Sequence, residues 1–384
     1  MFKFLPKNID LKSILLQCVL FVGVFGLGYY FLHNTLQNLS SLGVTPGFTF
    51  LAEPAGYDIP FSFYPLPLTP THFDIFLAGL SNTLAVSFMG ILLATLIGFV
   101  VGVAQLSSNW LLAKLAKAYV EVFRNIPVLL QIIFWYTGVL SALPMPKHSI
   151  TLWGLIYLNL RGLYFPKPIF HPNSTLFFMC LVLAIIVIIV IRIFAKQKQH
   201  KTGKKVNTLL WALVVLVGLP ALSFIFFPHP VSWQIPVLQG FNFVGGVTFF
   251  PEFVALWFAL SVYTGAFIAE AVRAALSAVD KGQREAAYSL GLKRSLVLRL
   301  VIIPQSLKIL IPPLISNYLN LLKNSSLAMA IGFPDIVATL GGTTLMQTGQ
   351  AIESLAIVMA TYAFFSLSIS LFLNWYNHYI VHRS

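Results

Sequence analysis

The 384 residues include 58% hydrophobic and only 9% charged side chains, with 34 phenylalanines and a mean hydropathy of +0.85, whereas about a quarter of a soluble domain is charged. That balance excludes a soluble enzyme or binding domain and describes an integral membrane protein. The formal net charge of +13 follows from membrane topology and from anionic lipid headgroups, so no nucleic-acid partner is expected.

Taken in chain order, apolar runs long enough to cross a bilayer core, about 20 residues as helix, occur near 14–32, 79–104, 126–143, 176–192, 207–227, 253–276, 309–331 and 354–377. Eight transmembrane helices are therefore expected. Runs such as Leu181 to Ile191 lack the alternation of polar and apolar residues that a membrane barrel strand needs. The first run ends in FLHNTLQN (31–38), without a small-residue cleavage pattern, and is read as an uncleaved span. Gly98 and Gly102 make a GxxxG pair suited to close helix packing. Cys18 and Cys180 fall in different spans, so no disulfide or metal pair is suggested. The eight histidines include no HExxH, and His378 and His382 share one face of the tail, a solvated end.

Orientation follows from lysine and arginine. With the N-terminus inside, nineteen basic residues fall in internal segments and three, Lys147, Arg161 and Lys167, in external loops. The internal set includes Lys3, Lys7, Lys201, Lys204, Lys205 and Arg383. Both termini are expected in the cytoplasm.

One internal segment, 277–308, is unusually polar. Asp280 or the Lys281-Gly282 turn can start a short helix whose first turn carries Glu285. Ala286 and Ala287 add helix propensity with little bulk, and Gly291 permits the positive φ that turns the chain. A second amphipathic helix (292–303) is expected to stop at Pro304. A small-residue face suits insertion into a groove of another protein; an interfacial helix lying on headgroups fits the same residues.

Further polar residues sit within the spans. At about 100° per residue, Ser316, Asn317, Asn320, Lys323 and Asn324 share one face of the seventh span. That face is either a translocation pathway or a polar contact between helices. Glu270 and Arg273 are neighbours on one helix face, and as such a snorkelling pair near the helix end. Gln131 and Tyr263 are further pathway candidates. No GxxxxGK[ST] phosphate loop occurs, so no cofactor, ATP and Mg included, is expected in this chain.

Glu285-Ala286-Ala287, then three residues, Gly291, nine residues and Val301-Ile302-Ile303-Pro304 resemble the EAA motif of ABC importer permeases, with Val301 and Ile303 where that family usually has Ile and Leu. The stretches GLSNTLAVS (79–87), FRNIPVLLQIIFWY (123–136), SVYTGAFIAEAVRAAL (261–276) and 302–336 resemble the polar amino acid permeases of the histidine/glutamine/glutamate/arginine type. Lys323-Asn324-Ser325-Ser326-Leu327 stands where they commonly have Lys-Asp-Thr-Ser-Leu. The added first span and LNLRGLYFP (158–166) resemble the longer general L-amino acid permeases.

The resemblance implies an all-α, MetI-like (type I) permease core within 76–377, with an N-terminal span and external loop over 1–75, an inserted hairpin at about 144–251 and a cytoplasmic tail at 378–384. It implies that 277–308 is a coupling loop, with Glu285, Ala286, Ala287, Gly291 and Pro304 meeting the ATPase, and that Glu270 binds a substrate amino group or gates the inner end. The implied partners are ABC ATPase subunits, a second permease subunit, an extracytoplasmic amino-acid-binding protein, the amino acid itself and inner-membrane lipid. The rival expectation is an ion- or proton-coupled secondary transporter, which would show broken helices in two repeats and an intramembrane acid.

Overall fold

The computed structural model describes residues 11–41, 47–171, 174–203, 208–226 and 231–382. Lys3, Lys7, Lys204, Lys205 and Arg383 lie outside the described residues, as do both ends of the expected span 207–227 and the side chains of His378 and His382. The chain divides into two compact units, one made of 1–135 with 255–384 and the other of 136–254.

In the first unit, α1 (Leu11–Ser41) is apolar and each of its described side chains is exposed, as a helix surrounded by lipid requires. After it, residues 49–71 fold onto the core. Phe50 is buried with Ile336, Leu340 and Val358, and the Tyr57 hydroxyl lies 2.9 Å from Thr344 Oγ1. The long α2 (His72–Ala104) starts at a capping box: Thr71 Oγ1 accepts from Asp74 N, and Asp74 Oδ2 accepts from Thr71 N at 2.9 Å.

α3 (Trp110–Asn125) is capped by Asn109, whose Oδ1 accepts from Leu111 N and Leu112 N. It meets α4 (Val128–Ile133) at a bend of 104°, and α4 runs on as a π-helical turn over Phe134–Leu140. The expected span 126–143 is therefore one arm of a broken helix. Pro127 supplies the reason, because it disfavours helical backbone at Ile126.

The second unit holds the expected insertion. α5 (Ser174–Thr202) and α6 (Thr208–Phe226) pack on each other. Before and after this helix pair in sequence come eight short strands: β1 (Ile150–Leu152), β2 (Ile156–Asn159), β3 (Gly162–Phe165), β4 (Lys167–Phe170), β5 (Val231–Gln234), β6 (Val237–Gln239), β7 (Asn242–Val244) and β8 (Val247–Phe249). β1, β2, β3 and β8 form an antiparallel sheet in that order, with Tyr164 opposite Thr248, while β4 pairs with β5 and β6 with β7. The all-α expectation thus holds for the spanning helices and is corrected here: strands of three or four residues are too short for the alternation that reveals a strand in sequence.

α7 (Pro251–Ser277) and α8 (Lys281–Ser289) follow. α9 (Arg294–Val297), a π turn (Leu298–Ile302) and α10 (Ile303–Asn324) make one continuous run. Pro304 does not stop it, contrary to expectation. Proline lacks an N–H and crowds the carbonyl four residues back, and the wider π turn ahead of it accommodates both defects. A 3₁₀ turn (Ser325–Ile331), a π turn (Val337–Thr344), α11 (Leu345–Thr348) and α12 (Ala351–His382) close the chain.

Among the described residues, six helices are long and apolar enough to cross a membrane, and a seventh if the bent pair counts as one span. The eighth expected position, α6, is a shorter apolar helix, Thr208–Leu222. α2 and α7 cross where GxxxG predicts packing. A methyl group on Gly98 would strike the Ile268 side chain, and one on Gly102 would lie 2.7 Å from the Ala269 carbonyl.

Candidate functional site

The polar segment forms a helix, a turn and a second helix. Asp280 Oδ1 accepts from Gly282 N to start α8. Gly291 has φ +74° with open space around it, so its requirement for glycine is conformational. Leu292 N then donates to the Ala287 carbonyl, which closes the helix end. Glu285 and Ala286 are exposed, and Leu290 is 80% exposed. Ala287 is buried within the chain at 5% exposure, so it stands away from the surface that Glu285 and Ala286 present. Pro304 is exposed at the start of α10.

Glu270 is held by Arg273 in a two-point ion pair, with Nε donating to Oε2 at 3.0 Å and Nη2 to Oε1. The pair lines a cavity of about 490 Å³ together with Gln105, Lys117, Glu121 and Arg124. Phe267 joins the same wall, 5.0 Å from the half-buried Tyr263 ring on one side and 5.0 Å from the Arg124 guanidinium on the other. α3 and α7 thus bring Glu270, Arg273, Lys117, Glu121 and Arg124 to one polar recess.

Gln131 is buried and its side chain has a local task. Nε2 donates to the Phe123 carbonyl at 3.0 Å and to the Ile126 carbonyl at 2.9 Å. These carbonyls end α3, where no helical N–H remains to reach them.

On α10, Ser316, Asn320 and Lys323 are exposed, Asn317 and Asn324 half-buried, and Leu310, Leu321 and Leu322 buried. None of Asn320, Lys323 and Asn324 lines the Glu270 recess. The candidates therefore occupy two separate polar regions.

Some residues that do work in the fold escaped sequence reasoning. Asn82 Nδ2 donates to the Phe61 and Pro334 carbonyls, each at 2.9 Å, pinning α2 to both the 49–71 segment and the turn before the Val337–Thr344 π turn. Thr83 Oγ1 accepts from Ile336 N. An Asn-Thr pair inside an apolar span was the available signal. Tyr119 and Arg284 escaped it as well: the Tyr119 hydroxyl donates to the Val262 carbonyl at 2.7 Å, and Arg284 donates to the carbonyls of Leu276, in the last turn of α7, and Val279, just beyond it.

Against known proteins the chain is 48% identical over 366 residues to the general L-amino acid transport system permease protein AapQ of Rhizobium johnstonii, covering 95% of this chain and 91% of that one. It is 36% identical over 397 residues to the glutamate/glutamine/aspartate/asparagine transport system permease protein BztB of Rhodobacter capsulatus, covering 95% and 93%. A solved structure described as an amino acid ABC transporter with histidines aligns at a TM-score of 0.48 and 21% identity, over 80% of this chain and 94% of that one. The ion-coupled alternative finds no support among these matches. A family model described as binding-protein-dependent transport system inner membrane component matches residues 90–384, and with relatives this similar from end to end, the chain belongs to that family of multi-pass inner-membrane transport components.

Proposed function

We propose that this chain is a permease subunit of an ATP-binding cassette importer that carries amino acids into the cytoplasm. The ATP-driven part rests on one observation: α8 presents Glu285 and Ala286 outward beside a glycine turn at positive φ, a protruding small-residue helix suited to a groove on an ATPase. The amino-acid part rests on similarity to AapQ and BztB, which carry that substrate class in their names. Charge supports an orientation with α8 and both termini inside, and with the strands of the 136–254 unit outside.

In this reading the Glu270 recess lies toward the inner end of the pathway, and the α10 face with Lys323, Asn320 and Asn324 lines the route or meets a second permease subunit. The other partners are ATPase subunits inside and a binding protein outside. The test is purification of the complex from membranes, followed by ATP hydrolysis with and without the amino-acid-loaded binding protein. Hydrolysis stimulated by the loaded form supports the reading. Absence of any co-purifying ATPase sinks it.

A further inference from the structure

The 136–254 unit contains a cavity of about 790 Å³, within the ~300–1,000 Å³ usual for small-molecule sites. Its wall carries Arg161, Glu252, Tyr136, Tyr164 and Asn242 with the apolar Phe250. Arg161 stands at the tip of the β2–β3 hairpin. Asn159 Oδ1 accepts from Arg161 N at 2.8 Å, and Asn159 Nδ2 donates to Ser149 Oγ at 3.0 Å, so the turn is held on both sides. Gly162 lets β3 pass so close to β8 that a methyl group would overlap the Phe249 carbonyl oxygen.

Glu252 enters from the first turn of α7. Its Oε1 accepts from the Tyr136 hydroxyl at 2.9 Å, which uses one of a carboxylate's roughly four lone-pair sites. The Tyr164 hydroxyl donates to Asn242 Oδ1 at 2.9 Å. Burial pushes the Tyr164 phenol up and the nearby Arg161 guanidinium pulls it back, which places a positive field on that side of the wall.

One cationic and one anionic side chain thus face a shared space without forming an ion pair with each other. A molecule carrying both charges a few bonds apart satisfies them together. We propose that this cavity binds a zwitterionic α-amino acid, Arg161 taking its carboxylate and Glu252 its ammonium group, with Phe250 beside the side chain. A guanidinium offers the planar two-point donor that a carboxylate matches. The proposal rests on the amino-acid reading above and adds a receiving site at the β2–β3 hairpin and the first turn of α7, beside loops that the charge rule puts outside.

The experiment is equilibrium dialysis of the full chain in lipid nanodiscs against an equimolar mixture of the twenty L-amino acids, with the retained compounds identified by chromatography. We expect retention that falls at least tenfold in Arg161→Met and in Glu252→Gln, and that neither the N-acetyl derivative nor the methyl ester of the retained amino acid competes with. Undiminished retention in both variants, or competition by either derivative, overturns the site. Should a variant fail to fold, the competition on the unaltered chain decides alone. No retention by the unaltered chain also overturns it. In that case binding-protein-driven uptake by the reconstituted complex separates the two claims: uptake of amino acids leaves the importer reading standing, and its absence removes both.

Discussion

Arg284 Nη2 donates a 2.9 Å hydrogen bond to the Val279 carbonyl and a second, at 3.3 Å, to the Leu276 carbonyl. The guanidinium of α8 thereby ends the hydrogen-bond ladder of α7, whose last carbonyls have no helical partner. Arg284→Met removes both bonds, and hydrogen bonds from a charged group contribute on the order of 2 kcal/mol. Since the apolar spans are untouched, the variant is expected to insert normally and to lose most binding-protein-stimulated ATP hydrolysis. Unchanged stimulation would mean that α8 needs no bracing.

Gly291 and the two alanines separate docking from folding. Gly291→Val meets no neighbouring atom but must hold φ +74°, a strain of about 1–2 kcal/mol for a side chain with Cβ. Ala286→Trp adds bulk to an exposed position, whereas Ala287→Trp adds it inside the chain. Gly291→Val and Ala286→Trp should therefore give normal membrane yields with poor co-purification of the ATPase. Ala287→Trp should lower the yield itself, and equal yields for the two tryptophan variants would contradict the burial seen here.

At the crossing of α2 and α7, Gly102→Leu forces a side chain against Ala269 O and Val272. Overpacking of this kind costs about 1–3 kcal/mol. The measurable outcome is a lower thermal unfolding midpoint in detergent, and Gly218→Leu, at a glycine with no atom nearby, should leave it unchanged.

Glu270→Gln breaks the two-point pair with Arg273, and Lys323→Met removes the exposed cation of α10. Each is expected to reduce amino-acid uptake at matched expression while insertion persists. If the double variant Glu270→Gln with Arg273→Met transports as well as the unaltered protein, the pair serves only to hold α7.

Orientation has its own test. A cysteine placed at Lys201, at the end of α5, should resist a membrane-impermeant thiol reagent in intact cells and react after permeabilisation. Labelling in intact cells would invert the topology.

The spanning helices were legible because apolar length is a one-dimensional property, as the runs that became α2, α7 and α12 demonstrate. The polar segment 277–308 was legible too, since Asp280 and Gly291 announce helix ends by residue type. What sequence did not disclose depends on contacts distant along the chain. Ala286 and Ala287 are the same residue, and only the path of the neighbouring helices decides which is buried. Gln131 reads as a polar group in a span until the break after Asn125 gives it two carbonyls to satisfy. The strands around Arg161 are shorter than any periodicity test can resolve, so the cavity they build had no signature beyond the quoted LNLRGLYFP.

The π turn before Pro304 has a mechanical consequence. A helix is most easily bent where its ladder is widened or interrupted, so α9 and α10 are joined by a compliant hinge between the protruding segment and the polar face. α8 is instead latched to α7 through Arg284, and α7 is meshed with α2 at Gly98 and Gly102. Contacts therefore run without a break from α8 through α7 to α2, while the route from α9 to α10 passes through a widened turn. Ile268 and Val272 are the teeth of that mesh, and the glycines of α2 are the notches they enter.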